Sequence, residues 1–213
     1  MTLNIKKTHS ERLMPLIDIL LNESDKRIDD ITCIAVAAGP GSFTGLRIGV
    51  ATARGLAQAL NVKAVPVCTL QAMAEGIFEQ GILICPVLDA RRSQVYSALF
   101  RRSIYDPCKI ETLIEPVAIS VEELLTTLGN FKEPIMFLGE GLNSYGEKLF
   151  EGLPAGHAIV PPAPFRFCRA ALVAMLGVKV LNKNPESSYL DLLPRYLRRP
   201  EAERLLDESG NTS

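Results

Sequence analysis

Apolar residues change rhythm along the chain, and the changes mark its elements. Residues 31–38 form a near-continuous apolar run, the pattern of a strand covered on both faces in a parallel sheet. The run breaks at Gly39-Pro40-Gly41, and Ser42 is placed to cap a helix reaching Leu60. In that helix Leu46, Val50, Leu56 and Leu60 supply bulk, while Gly45, Gly49, Ala53 and Ala57 recur every four residues as a side-chain-poor ridge. A helical glycine costs roughly 1 kcal/mol against alanine, so another backbone is expected to approach the ridge closely. Arg47, Ala51, Arg54 and Gln58 share a further face, which reads as solvated or as a docking surface for another helix.

Upstream, residues 2–7 are weakly strand-like, and Thr8 with Glu11 makes a capping box. Leu13, Leu16, Ile17, Leu20 and Leu21 then give an amphipathic stripe, with Pro15 expected to kink the helix or mark its start. Downstream, residues 64–68 read as a parallel strand, and Thr69 as the cap of a helix that carries Leu70, Met73, Ile77 and Phe78 and stops at Gly81. Residues 82–88 and 95–102 predict a hairpin, and 113–119 a third strand. Ser120 and Glu123 open a helix over 121–128; a strand at 135–138, a helix at 143–150, a short strand at 157–160 and an apolar helix from about 165 to 181 complete the pattern.

The second half thus reads as three strands, then helix, strand, helix, strand, helix. The first half matches it if a leading hairpin is missing. Three antiparallel strands followed by alternating helices and strands is the ribonuclease-H-like arrangement. Two such lobes in tandem describe the α/β fold of actin, Hsp70 and sugar kinases, where nucleotide binds between the lobes. The expected division is 1–81 for a first lobe without its N-terminal hairpin, 82–190 for a second, and 191–213 for a closing segment with a disordered polar tail.

Composition narrows the function. The chain has 213 residues, 47% of them hydrophobic, enough for a core, and its net charge of −1 comes from interspersed acids and bases. That is no footprint for gripping a polyanion unaided. The five cysteines are scattered without a C-x-x-C pair, which points to reduced thiols of a cytoplasmic protein. No apolar leader or uncharged run of about twenty residues suggests secretion or membrane spanning.

Candidate chemistry is sparse. His9 and His157 are the only histidines, and Leu13 stands four residues beyond His9, so neither has a second histidine at helical spacing for a catalytic metal. No serine lies in a G-x-S-x-G elbow. Asp89, followed by Arg91 and Arg92, could polarise water or hold phosphate, or simply close a hairpin turn with a salt bridge. Gly39, Gly41, Ser42 and Thr44 lead backbone N–H groups into a helix N-terminus, a place that favours anions. Their spacing fits neither G-x-G-x-x-G nor a Walker motif, which leaves a phosphate turn and a plain turn both open. Between residues 31 and 71 there is no Asp or Glu to hold a magnesium phosphate.

The run GPGSFTGLRIGVATARGLAQAL resembles the signature of the TsaB (YeaZ) family, the non-catalytic paralogues in the bacterial machinery that makes threonylcarbamoyladenosine on tRNA. LDARRSQVYSALF and PRYLRRPEAE resemble that family's opening of the second lobe and its closing segment. The resemblance implies a scaffold without catalytic residues or metal ligands of its own. It implies docking of a catalytic TsaD-type paralogue through the helices at 8–21 and 42–60, with Leu13, Leu20, Arg47, Val50, Ala51 and Arg54 as contacts. It further implies a TsaE-type ATPase subunit, tRNA reached through the complex, ATP or ADP at the complex's interface, and self-pairing through the same face in the absence of the paralogue. The alternatives are an independent ATP-dependent transferase using the interlobe cleft, and a metallopeptidase-like hydrolase of the kind this superfamily was once labelled. Family members open with two strands, the first containing Asp-Thr, before the segment that corresponds to residues 8–13. The resemblance therefore implies a misplaced start codon or a truncated product at Met1, and poor solubility of the chain begun there.

Overall fold

In the computed structural model, which describes residues 9–198, the chain runs α1 (His9–Glu23), β1 (Cys33–Gly39), α2 (Phe43–Leu60), β2 (Lys63–Cys68), α3 (Thr69–Glu75), β3 (Leu83–Asp89), β4 (Gln94–Arg102), β5 (Ile110–Ser120), α4 (Val121–Leu128), β6 (Ile135–Leu138), α5 (Leu142–Glu151), β7 (Ala158–Ile159) and α6 (Ala170–Lys183). Short 3₁₀ turns lie at Ile28–Asp30, Ala163–Phe165 and Tyr189–Asp191. The result is a mixed α/β fold.

Local chemistry sets most of these boundaries. The Ser42 hydroxyl accepts the Gly45 N–H at 3.4 Å, and Asn61, in the left-handed region, closes α2. At α4 the expected box is met in both directions: Glu123 N–H donates to Ser120 Oγ at 3.2 Å, and Ser120 N–H to the Glu123 carboxylate at 3.0 Å. Along the chain, the order of elements predicted from 82 onward is the order observed, although the last helix packs on the other sheet.

Strands β1 and β2 pair in parallel, Cys33 opposite Lys63 through Ala37 opposite Val67. Helix α2 covers one face with Val50, Ala53 and Ala57, and α6 the other with Val173 and Leu176. The small-residue ridge of α2 therefore faces its own sheet, with Gly49 over Val36. The tightest helix approach is made by Gly177 of α6, where a Cβ would overlap that of Ala35. The other sheet has the order β5-β4-β3-β6-β7, antiparallel among β3, β4 and β5 and parallel from β3 through β6 to β7. Helices α4 and α5 pack on one of its faces through Leu124, Leu128 and Leu149, and α3 on the other through Leu70, Met73 and Ala74.

Helix α3 also reaches the first sheet, since its Ala72 joins Val67, Val173 and Leu176. It is shorter than predicted, ending at Glu75 rather than near Gly81, because Arg102 of β4 takes over its C-terminal carbonyls. The buried guanidinium donates to Ala74 O (3.2 Å), Glu75 O (3.1 Å) and Ile77 O (2.6 Å), and Glu75 Oε2 lies 3.7 Å from Nη1. Lys179 of α6 donates to the other oxygen of Glu75 at 2.9 Å. Thr69, expected to cap this helix, is its first residue, and its buried hydroxyl has no hydrogen-bond partner among the described residues.

Two more expectations need correction. Helix α6 begins at Ala170 instead of about 165, because Pro162 and Pro164 hold the preceding residues in a 3₁₀ turn that leaves Phe165 and Phe167 exposed. Pro15 does not start α1, which opens six residues earlier at His9. The strand at 2–7, the Thr8 capping box and the tail all lie outside the described residues.

Replacing Arg102 would leave Glu75 and three helix-end carbonyls buried with too few donors. We expect Arg102→Met to lower the unfolding free energy by about 3–5 kcal/mol in urea titration, far more than Arg101→Met on the same strand.

Candidate functional site

Strand β1 delivers its C-terminal end to a tight turn. Gly39 sits at φ +133°, the Gly39–Pro40 peptide is cis, and Ser42 then starts α2. Glycine is required at 39 by a backbone: a Cβ there would overlap the Arg195 carbonyl oxygen, while Arg195 N–H donates to Ala38 O at 2.7 Å. Residues 194–198 thus lie across the turn as a strap.

The strap also meets α2. The Tyr196 ring stacks 5.0 Å from that of Phe43, the Arg47 guanidinium lies 3.9 Å over Phe43, and Arg47 Nε donates to the Tyr196 hydroxyl at 3.1 Å. Two residues further on, Arg198 Nη1 donates to Ala90 O at 2.7 Å, at the end of β3. One short segment is therefore bonded to the turns at the ends of both sheets.

The turn after β3 is built from side chains without glycine. Arg91, Arg92 and Ser93 hold φ of 65°, 52° and 58°, three consecutive left-handed residues. Asp89 supports them, accepting the Arg91 N–H at 2.7 Å and lying 4.0 Å from the Arg91 guanidinium. Of the two readings open for Asp89, the geometry favours hairpin closure.

The predicted phosphate residues are brought together but make a poor cradle. Ser42 and Thr44 are exposed, Gly41 meets only the Leu46 side chain, and the space Gly39 opens is taken by a carbonyl acceptor where an anion needs donors. Among the described residues no three His, Cys, Asp or Glu side chains converge as metal ligands.

The residues expected to touch a partner separate into two groups. Val50 is 4% exposed in the core beneath α2, so it faces the sheet, a correction that follows from its place beside Ala53 and Ala57. Arg47 and Ala51 are exposed and Arg54 half-buried on the outer side of α2; on α1 Leu13 is half-buried and Leu20 48% exposed. None of the described α1 residues from 11 to 23 is buried, and Met14 and Ile19 stand 46% and 44% exposed. The stacked contact of Phe43 with Tyr196 was not foreseen. The only signal for Tyr196 was an aromatic set among arginines in a stretch without periodicity, and Phe43 was hidden within a helix signature.

Thiol chemistry is suppressed where the cysteines are inside. Burial pushes the Cys85 thiol up to about 12 against a weaker opposing bond from Ser97, and burial, with Cys68 and Glu140 adding to it, pushes Cys168 up to about 11.

Comparison with known proteins follows from this geometry. The family model for TsaD, tRNA N6-adenosine threonylcarbamoyltransferase, matches residues 4–204. The chain is 34% identical over 206 residues to the tRNA threonylcarbamoyladenosine biosynthesis protein TsaB of Bacillus subtilis, covering 96% of this chain and 86% of that one. Over 200 residues it is 28% identical to the TsaB of Haemophilus influenzae, covering 91% and 81%. Two solved structures from Pseudomonas aeruginosa share the fold: a protein with similarity to peptidase YEAZ (TM-score 0.75, 25% identity, 91% and 86% covered) and YeaZ (0.73, 24%, 90% and 86%).

Two outcomes follow. Gly39→Ala should cost on the order of 2 kcal/mol in chemical denaturation, from backbone strain and displacement of the strap. A thiol reagent at neutral pH should label exposed Cys108 rapidly and leave buried Cys85 unmodified until denaturant is added, as mass spectrometry of the labelled peptides would read.

Proposed function

Because the chain belongs to the TsaD family and, within it, to the TsaB proteins of tRNA threonylcarbamoyladenosine biosynthesis, we propose that it is an accessory subunit that docks a catalytic TsaD-type paralogue. In this reading it contributes surface and the paralogue contributes chemistry. A TsaE-type ATPase subunit and the tRNA are engaged through the assembly, and any ATP or ADP is held where the subunits meet.

The observation that carries the reading is the apolar stripe of α1, which no other described residue buries. Leu13, Leu16, Ile17, Leu20 and Leu21 recur at core spacing, yet each is at least partly open, and α1 rests on α2 alone among its closest contacts. An apolar stripe of this kind marks an interaction surface. Ala51, small and outward on α2, permits a second helix to come close.

Co-purification of the chain with the catalytic paralogue of the same organism, followed by light scattering, should give a heterodimer. Ala51→Glu and Leu20→Glu should each weaken that complex by more than about tenfold without changing the thermal melt, because neither residue is in the core. Full binding by both variants would move the interface off this helix pair.

A further inference from the structure

We propose that the groove between β2, α6 and residues 184–195 binds a small zwitterion of short-peptide size, its carboxylate on Arg195 and its ammonium on Asp191. The groove encloses about 780 Å³, within the range of small-molecule sites. Its floor is apolar, with Ala64 and Pro66 from the strand and Leu176 and Val180 from the helix. Pro66 has no N–H to offer, so a ligand gains little by pairing with the edge of β2 and is held through its own polar ends. None of the groove's residues belongs to α1 or α2, and the site is therefore separate from the surface proposed for docking.

Both charged residues stand on fixed backbone. Leu192 between them is 1% exposed in the core beneath α2, Asp191 N–H donates to Ser188 O at 3.2 Å, and Arg195 N–H donates to Ala38 O at 2.7 Å. Neither side chain has a hydrogen bond or ion pair among the described residues. A ligand therefore displaces only water from them, and no protein contact has to break. The other charges leave this polarity in place. Lys183 and Glu186, also in the groove, are opposite in sign, and the ammonium of Lys63 beside it donates to the Pro185 carbonyl. What remains is one cation and one anion four residues apart, which puts their Cα atoms no more than about 14 Å from each other. A peptide of about two to four residues with free ends has that span and meets both charges with the opposite sign. The charge of Arg195 also reaches the Cys68 thiol, which lines the same groove and so reports on its occupancy.

The test is calorimetric titration of the full chain with trialanine, its C-terminal amide and its N-acetyl form, with thermal melts as the control for folding. Trialanine should bind with a Kd on the order of 1 mM. Amidation should weaken binding about tenfold in wild type and have no further effect in Arg195→Gln, which keeps the backbone contacts. Acetylation should likewise weaken binding in wild type and have no further effect in Asp191→Asn. Bound trialanine should also slow alkylation of Cys68 severalfold while exposed Cys108 reacts at its usual rate. Absence of saturable heat up to about 10 mM, amide binding as tight as that of the acid, or trialanine binding by Arg195→Gln within about twofold of wild type would overturn the site. Sensitivity to amidation without sensitivity to acetylation would reduce it to an anion site and overturn the zwitterion.

Discussion

One tie between the two sheets is centred on the guanidinium of Arg102. Its strand belongs to the larger sheet, the carbonyls it satisfies belong to the end of α3, and the carboxylate beside it is shared with Lys179 of α6, the helix that covers the smaller sheet. A fully buried arginine is expensive to desolvate, and only a near-complete set of acceptors makes it tolerable. Because the group ties β4 to the end of α3 and, through Glu75, to Lys179 of α6, none of the three can shift without leaving a charge or a helix end unpaired. The interaction specifies how the parts sit more than it adds stability.

A second tie lies at the opposite ends of the strands. The strap from Pro194 to Arg198 bonds to Ala38 on one side and Ala90 on the other, and stacks Tyr196 on the first turn of α2. In the glycine turn, the space beside Gly39 is taken by the Arg195 carbonyl. This is a frequent ambiguity of glycine motifs: the residue reports that something comes close, without saying what.

Much of the fold was legible because its signals are local. The capping box at Ser120, the hairpin between residues 82 and 102 and the buried run before Gly39 each need only neighbouring residues, and the elements fall where those signals put them. Some failures were local, as where Pro162 and Pro164 delay α6, and others were long-range. Arg102 shortened α3 from another sheet, and neither amphipathic spacing nor Gly81 carries word of that contact. Val50 looked like a docking residue on an apolar helix, but which apolar stripe turns inward depends on the strand beneath. The outward stack of Phe43, Arg47 and Tyr196 was illegible for the same reason, since its members stand far apart in sequence.

That separation has a consequence for biosynthesis. Arg47 and Tyr196 are 149 residues apart. At about 5–20 residues per second a ribosome needs roughly 10–30 s between making the one and making the other. Through that interval α2 can fold against its strand while its outer face still lacks an aromatic wall. The stack of Phe43, Arg47 and Tyr196 is thus the last part of the α2 surface to form, and it closes only once residue 196 has been made.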